Sequence, residues 1–172
     1  TYCENRNGSK TLIKEISDAG ILDKATILLT PTAWSDARLH SVKTQGDELV
    51  TNRDFTNGLT GWATQIPSGQ TVEVTDNQLH VDYDKDETQG SCGVNQAILV
   101  VGHTYKVVID VAEVTGTFRV QTGNQVQDLG STGIHTLYPA AAANTVFYLI
   151  RASNDASCEF KVNSVSVIDI SS

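Results

Sequence analysis

The chain has 172 residues, a formal net charge of -8 and 40% hydrophobic residues, which suit one domain with an appendage or two small domains. An acidic chain without clustered Lys and Arg argues against nucleic-acid binding. No apolar run approaches the roughly 20 residues of a membrane span, so we expect no membrane insertion. A basic and then apolar secretory leader is also not visible.

The first 46 residues predict a short helix followed by an extended strand. Ser9 is a suitable N-cap and Gly20 suits the C-terminal left-handed position. Between them, one helical stripe is formed by Leu12, Ile13, Ile16 and Ala19. A helix of about three turns is unstable alone, so the stripe must dock on another surface. Ala25 to Thr30 reads as a strand that Pro31 ends.

This N-terminal segment has two candidate packing partners. It could pack on its own C-terminal domain, or on a neighbouring subunit or another protein. We favour the second and predict an assembly interface formed by Leu12, Ile13, Ile16, Ile27 and Leu29. The polar, turn-prone Gln45-Gly46-Asp47 marks the predicted boundary, which divides the chain into segment 1–46 and domain 47–172.

Domain 47–172 opens with a turn-rich stretch, Val50 to Trp62. Asn57-Gly58 and Gly61 favour tight turns, and Phe55 and Trp62 on either side are predicted to be core residues. Short apolar alternations then indicate strands at 71–75, 79–83, 94–101, 105–111, 118–121, 145–152 and 159–170. Asp76-Asn77 indicates a turn, and residues 122–144 are predicted to be a loop rich in Gly, Gln and Asn. The pattern predicts a mainly β fold, an antiparallel β-sandwich of the jelly-roll type.

Side chains with reactive or metal-binding chemistry form no recognisable motif. His40, His80, His103 and His135 are widely spaced, and no nucleophile elbow or phosphate-binding glycine loop is present. We therefore predict a protein that is not an enzyme and has no cofactor. Three widely spaced cysteines are expected to be buried thiols, although Cys92 and Cys158 could meet across the sandwich.

The acidic run from Asp82 to Glu87 has three alternating Asp residues, as at the start of a calcium loop. Glu87 stands where such a loop needs Gly, and Gly93 stands where it needs a bidentate Glu. We predict a solvated acidic turn, with a looser calcium site as the alternative.

A series of short motifs follows in order along the domain: Asn52 to Phe55 with Gly58-Leu59 and Gly61-Trp62, then 78–81, 95–98, 102–105 and the closing strand 160–167. Together they resemble the carbohydrate-binding-module type of galactose-binding-like jelly roll. Residues 25–35 and 39–43 resemble a leader joined to such modules in tailed-phage structural proteins. Such modules often hold calcium, but the two ligand positions carry Thr56 and Asn163, so we predict no metal there.

The resemblance implies a non-enzymatic virion structural protein, assembled in the host cytoplasm and located in the capsid or tail. The N-terminal segment would bind other virion proteins, and the protein would form a homo-oligomer. The jelly roll would bind host-surface or environmental glycans for host attachment. One alternative is a capsid decoration protein that uses the sandwich for protein contacts only. A second is the carbohydrate-binding module of a secreted glycoside hydrolase.

Glycan binding needs an aromatic ring and planar polar side chains. Trp34, in a polar context, and Tyr83, beside the acidic loop, are the predicted rings. Arg119 and Gln121 on one strand face are the predicted polar partners.

Overall fold

The chain forms two compact units, Thr1–Gly46 and Asp47–Ser172. A computed structural model describes residues 2–4, 10–12, 25–26, 43–44 and 46–171. In these ranges, no helix has the length and apolar character that crossing a membrane requires.

The first unit contains two short antiparallel pairs. Strand β1 (Tyr2–Glu4) pairs with β2 (Lys10–Leu12), and β3 (Ala25–Thr26) pairs with β4 (Lys43–Thr44). The predicted helix is therefore wrong in its first turn, because residues 10–12 pair with another strand. A local helical stripe contains no information on such pairing. The rest of that helix, and residues 27–30 of the predicted strand, lie outside the described residues.

The second unit is a sandwich of two five-stranded antiparallel sheets. Sheet I contains, from edge to edge, β11 (Gln125–Leu129), β10 (Phe118–Thr122), β13 (Val146–Arg151), β8 (Gly93–Ala97) and β5 (Ala63–Gln65). Sheet II contains β12 (Gly133–Leu137), β9 (Tyr105–Thr115), β14 (Cys158–Asp169), β7 (Gln78–Tyr83) and β6 (Thr71–Thr75). Most connections cross from one sheet to the other, as in a jelly roll. The predicted antiparallel β-sandwich is confirmed.

Aromatic side chains fill the space between the sheets. The rings of Phe118 and Phe160, from opposite sheets, stack with centroids 4.3 Å apart. Phe55 stacks on Trp62 at 5.5 Å, and Trp62 also contacts Phe147 at 6.5 Å. Phe55 and Trp62 are buried, which confirms their predicted place in the core. Full burial of a Phe side chain contributes about 1.5–3 kcal/mol.

The opening stretch is held by the side chain of Asn52. Its amide donates to the carbonyl oxygens of Gly58 at 2.8 Å and Thr60 at 3.2 Å, and its oxygen accepts from the amide of Asn57 at 3.1 Å. The indole of Trp62 donates to the Asn52 carbonyl at 3.2 Å. These bonds hold Phe55 in the core although its φ of 56° is unusual for a bulky residue.

The strand predictions succeed where one face is buried and fail at the sheet edges. The β6–β7 hairpin turns at Asp76 and Asn77, whose φ angles of 53° and 59° are those of a type I′ turn. The loop predicted over 122–144 is wrong, because it contains β11 and β12. Four of the five β11 residues are exposed, so this edge strand has little of the apolar alternation that marks a half-buried strand.

The two ends of the sandwich unit lie side by side. Glu48 forms an antiparallel bridge with Ile168, and the amide of Leu49 donates to the Val167 carbonyl at 3.0 Å. The Glu48 carboxylate accepts from the amides of Val167 at 2.9 Å and Val50 at 3.0 Å. One side chain thus ties the entering segment to the closing strand.

Candidate functional site

Nearly every aromatic ring of residues 46–171 is in the core. Only Tyr138 and Tyr148 are not buried; the buried rings are those of Phe55, Trp62, Tyr83, Tyr105, Phe118, Phe147 and Phe160. A ring that stacks on a ligand must be accessible, so among residues 46–171 only these two tyrosines could provide one.

The predicted glycan contact at Tyr83 is wrong. Its ring is 0% exposed, lies in β7 on the core side of sheet II, and carries the Arg151 guanidinium 5.1 Å from its centroid. Its hydroxyl donates to the Asn154 carbonyl at 3.3 Å. The alternation with Leu79 and Val81 indicates this burial, because residues two apart in a strand share a face.

Tyr148 lies on the outer face of sheet I, at the middle of the sheet. It belongs to the central strand β13, where Phe147 and Leu149 point into the core, so Tyr148 points outward and is half-buried. Directly opposite it on the flanking strands stand Gln121 of β10 and Asn95 of β8. Neighbouring strands are about 4.8 Å apart, so Gln121 and Asn95 are the cross-strand neighbours of Tyr148 on this face.

The next row of the same face contains a bidentate ion pair. Nε and Nη2 of Arg119 donate to the two carboxylate oxygens of Asp128 at 2.7 and 3.0 Å. This hydrogen-bonded carboxylate raises the pKa of Arg119. Gln121 is also held, because its amide donates to the Gly123 carbonyl at 2.8 Å. Both predicted polar residues therefore project from one face in fixed positions.

Gln65 ends the Arg119 row at the opposite edge. The row runs from Arg119 through Ile150 and Gly93 to Gln65. The Oε1 atom of Gln65 is buried and has no hydrogen-bond partner, the only such side-chain atom in the described part of the chain. A buried amide oxygen without a partner is costly.

We refer to Arg119, Gln121, Tyr148, Asn95 and Gln65 as the sheet I face. Its chemistry is an aromatic ring beside neutral amides, with one internally neutralised ion pair. Such a surface suits a neutral ligand that has apolar C–H faces and many hydroxyl groups. Tyr148, Asn95 and Gln65 were not among the predicted residues. The sequence of strand 145–152 does not give the direction of Tyr148, because both sides of the strand are apolar.

The outer face of sheet II carries charged side chains paired with one another. The two ring nitrogens of His80 lie 3.3 Å from Glu73 and 3.0 Å from Glu159, and Lys161 lies 2.7 Å from Glu113. The Glu113 carboxylate raises the pKa of Lys161 by accepting its hydrogen bond. The aromatic residues within the strands of sheet II, Tyr83, Tyr105 and Phe160, are all buried.

The remaining predicted sites have these positions. Leu12 lies in β2, and Ile13, Ile16, Ile27, Leu29 and Trp34 lie outside the described residues. Thr56 donates its hydroxyl to Asp54 at 2.9 Å, and this hydrogen bond lowers the pKa of Asp54. Asn163 accepts from Gln78 at 2.6 Å and donates to Asp110 at 3.1 Å. In the described ranges, no group of three or more His, Cys, Asp or Glu could hold a metal ion.

Cys92 and Cys158 are free, buried thiols, as predicted. Burial raises the pKa of Cys92 to about 12 and that of Cys158 to about 11. Because the thiolate is the nucleophilic form, these groups are inert at neutral pH.

The chain matches no family model and no curated protein. Among solved structures, it is similar to the CBM22-1 xylan-binding domain from Paenibacillus barcinonensis Xyn10C, with a TM-score of 0.45 and 14% sequence identity. The similarity covers 74% of this chain and 97% of that chain.

Proposed function

We propose that the sandwich unit is a non-catalytic glycan-binding module whose binding surface is the sheet I face. The observation that supports this most is Tyr148, an outward-facing ring on the central strand with an amide on each side. Its hydroxyl has no hydrogen bond to another described residue, so it too is free for a ligand.

The ligand class follows from the charge and shape of the face. Arg119 is neutralised by Asp128, so the face does not select an acidic or a basic ligand. A neutral sugar ring can stack on Tyr148 while its hydroxyl groups pair with Asn95 and Gln121 on either side. The row across sheet I spans about four strand spacings, roughly 19 Å, which suits an oligosaccharide rather than a single sugar.

The test is calorimetric titration of the full chain with xylohexaose, cellohexaose, mannohexaose and chitohexaose. We expect at least one of them to bind, and Tyr148→Ala to weaken that binding at least about tenfold, since an aromatic anchor is typically a binding hot spot. The control Tyr148→Phe keeps the ring and should keep most of the affinity. Equal affinity of the Ala variant would refute the sheet I face as the site.

We also propose that the whole chain is a virion structural protein of a tailed phage. Its segment 1–46 would fix it to the particle, and its sandwich would face outward. Support comes from the order of the sequence motifs, and many copies on one particle would multiply a weak monovalent affinity.

The alternative is a decoration protein without a sugar site. A purified particle that contains the chain, and that binds an immobilised hexaose through Tyr148, would support the glycan-binding form. A particle-bound chain with no response to sugars would favour the decoration protein.

A further inference from the structure

The second accessible ring, Tyr138, borders a groove at the side of the sandwich. The groove has a volume of about 340 Å³ and lies between β11, the edge strand of sheet I, and the end of β12, the edge strand of sheet II. Val120 and Thr122, which are almost fully buried, form its floor. This volume is in the range of small-ligand sites, about 300–1,000 Å³.

Both walls of the groove are held by hydrogen bonds that do not depend on a ligand. On one side, Gln125 and Gln127 stand opposite Thr122 and Val120 in the β10–β11 hairpin. The turn of that hairpin is fixed because the Gly123 carbonyl accepts from the Asn144 side chain at 3.0 Å. On the other side, the Pro139 carbonyl accepts from the Tyr105 amide at 2.9 Å. The groove is therefore formed before any ligand binds.

The residues that line the groove include no charged side chain. The polar groups are Thr122, Gln125, Gln127 and Thr136, and the apolar ones are Val120, Val126, Leu137 and Pro139, with Tyr138 at the rim. Tyr138 is 64% exposed, so its ring is accessible to a ligand. A charged ligand would leave its charge unpaired on desolvation here, whereas a neutral polyhydroxylated ring would find both an aromatic partner and amide partners.

We propose that this groove is a second saccharide-binding site, which takes a single neutral sugar ring or the end of a glycan. Tyr138 stacks on the sugar, and Gln125 and Gln127 hydrogen-bond to its hydroxyl groups. The site shares no residue with the sheet I face, so it can exist whether or not that face binds an oligosaccharide.

The test is a titration of the ¹⁵N-labelled full chain with the methyl glycosides of glucose, galactose, mannose and xylose, followed by nuclear magnetic resonance. We expect saturable shifts of the Gln125 and Gln127 side-chain amides and of the Tyr138 backbone amide with at least one glycoside. Tyr138→Ala should weaken that binding about tenfold, and Tyr148→Ala should leave it within twofold. Because Tyr138 is exposed, its truncation should leave the other resonances in place.

Two results would overturn the second site. In the first, the groove resonances do not shift with any glycoside although the same sample binds a hexaose through Tyr148. The proposed function would then stand without the second site. The other is a groove response that Tyr138→Ala leaves unchanged. Groove binding with no effect of any hexaose on the Tyr148 region would instead support the groove and count against the sheet I face.

Discussion

The outer faces of the two sheets are built on the same backbone pattern but present opposite chemistry. On the face of sheet II, His80 lies between two carboxylates and Lys161 forms an ion pair with a third. The sheet I face has one ion pair, a central ring and amides, one of which has a buried oxygen without a partner. Side chains that form ion pairs with one another have few hydrogen-bonding groups left for a ligand. An aromatic ring among amides keeps a face on which a ligand can stack. The two sheets differ in their outward residues, since both inward sets form one core.

The largest expected effect is on the free energy of unfolding, and it distinguishes a core residue of β13 from its neighbour on the outer face. Phe147→Ala should lower the free energy of unfolding by about 3–5 kcal/mol, because Phe147 is fully buried against Trp62. Its neighbour Tyr148 points outward, and Tyr148→Ala should cost less than about 1 kcal/mol. Urea unfolding of both variants gives the two values. Similar losses would mean that Tyr148 is a structural residue and that the two faces do not differ as described.

Alkaline pH should weaken the fold through the two buried thiols. Their pKa values of about 12 and about 11 lie above the ordinary 9.0, so above pH 9 the unfolded chain loses these protons first. The folded state then binds more protons, and stability falls as pH rises from 9 toward 11–12. Denaturant unfolding across this range measures the slope. Replacing both cysteines with Ala should make the slope shallower, and an unchanged slope would exclude them as its cause.

Removal of single amides tests which side chains of the sheet I face contribute to hexaose affinity. Gln121→Ala and Asn95→Ala should each weaken hexaose binding about three- to tenfold, since one hydrogen bond contributes roughly 0.5–1.5 kcal/mol. Calorimetry with the best-bound hexaose measures the change. Gln78→Ala, on β7 of sheet II and outside both proposed sites, is the matched control and should leave hexaose affinity unchanged. An equal loss in the control would show that the amides of the sheet I face are not specific contacts.

The smallest effect is expected on the face of sheet II. His80→Gln interrupts the contacts with Glu73 and Glu159, and it should change the free energy of unfolding by less than about 1 kcal/mol. Hexaose affinity should stay within twofold of the original chain. A large loss of hexaose binding would mean that the ligand binds sheet II, contrary to our proposal.

The sequence predicts the fold well where the physics is local. The Thr71–Thr75 strand is predicted with its observed bounds, because alternating valines and an Asp-Asn turn are short-range signals. Leu12 shows the limit: its helical spacing was real, but β2 pairs with a strand near residue 3. Pairing between strands is a non-local property that a single periodicity does not contain.

The sequence predicts two of the five residues of the sheet I face, both of them polar. Arg119 and Gln121 alternate with Phe118 and Val120, so their shared face follows from the sequence. Tyr148 was missed because β13 is apolar on both sides, which hides the direction of each side chain. The amide of Asn95 joins that ring only through strand order, and strand order depends on the whole jelly roll.

The adjacent ends of the sandwich have a consequence for its use as a building block. Residue 48 lies beside residue 168, so the unit begins and ends at one place. A domain with neighbouring ends can be inserted into a surface loop of another protein without forcing that loop apart, and it tolerates circular permutation. The Asp47–Ser172 unit could therefore be grafted into an unrelated scaffold as a cassette held at a single point of attachment.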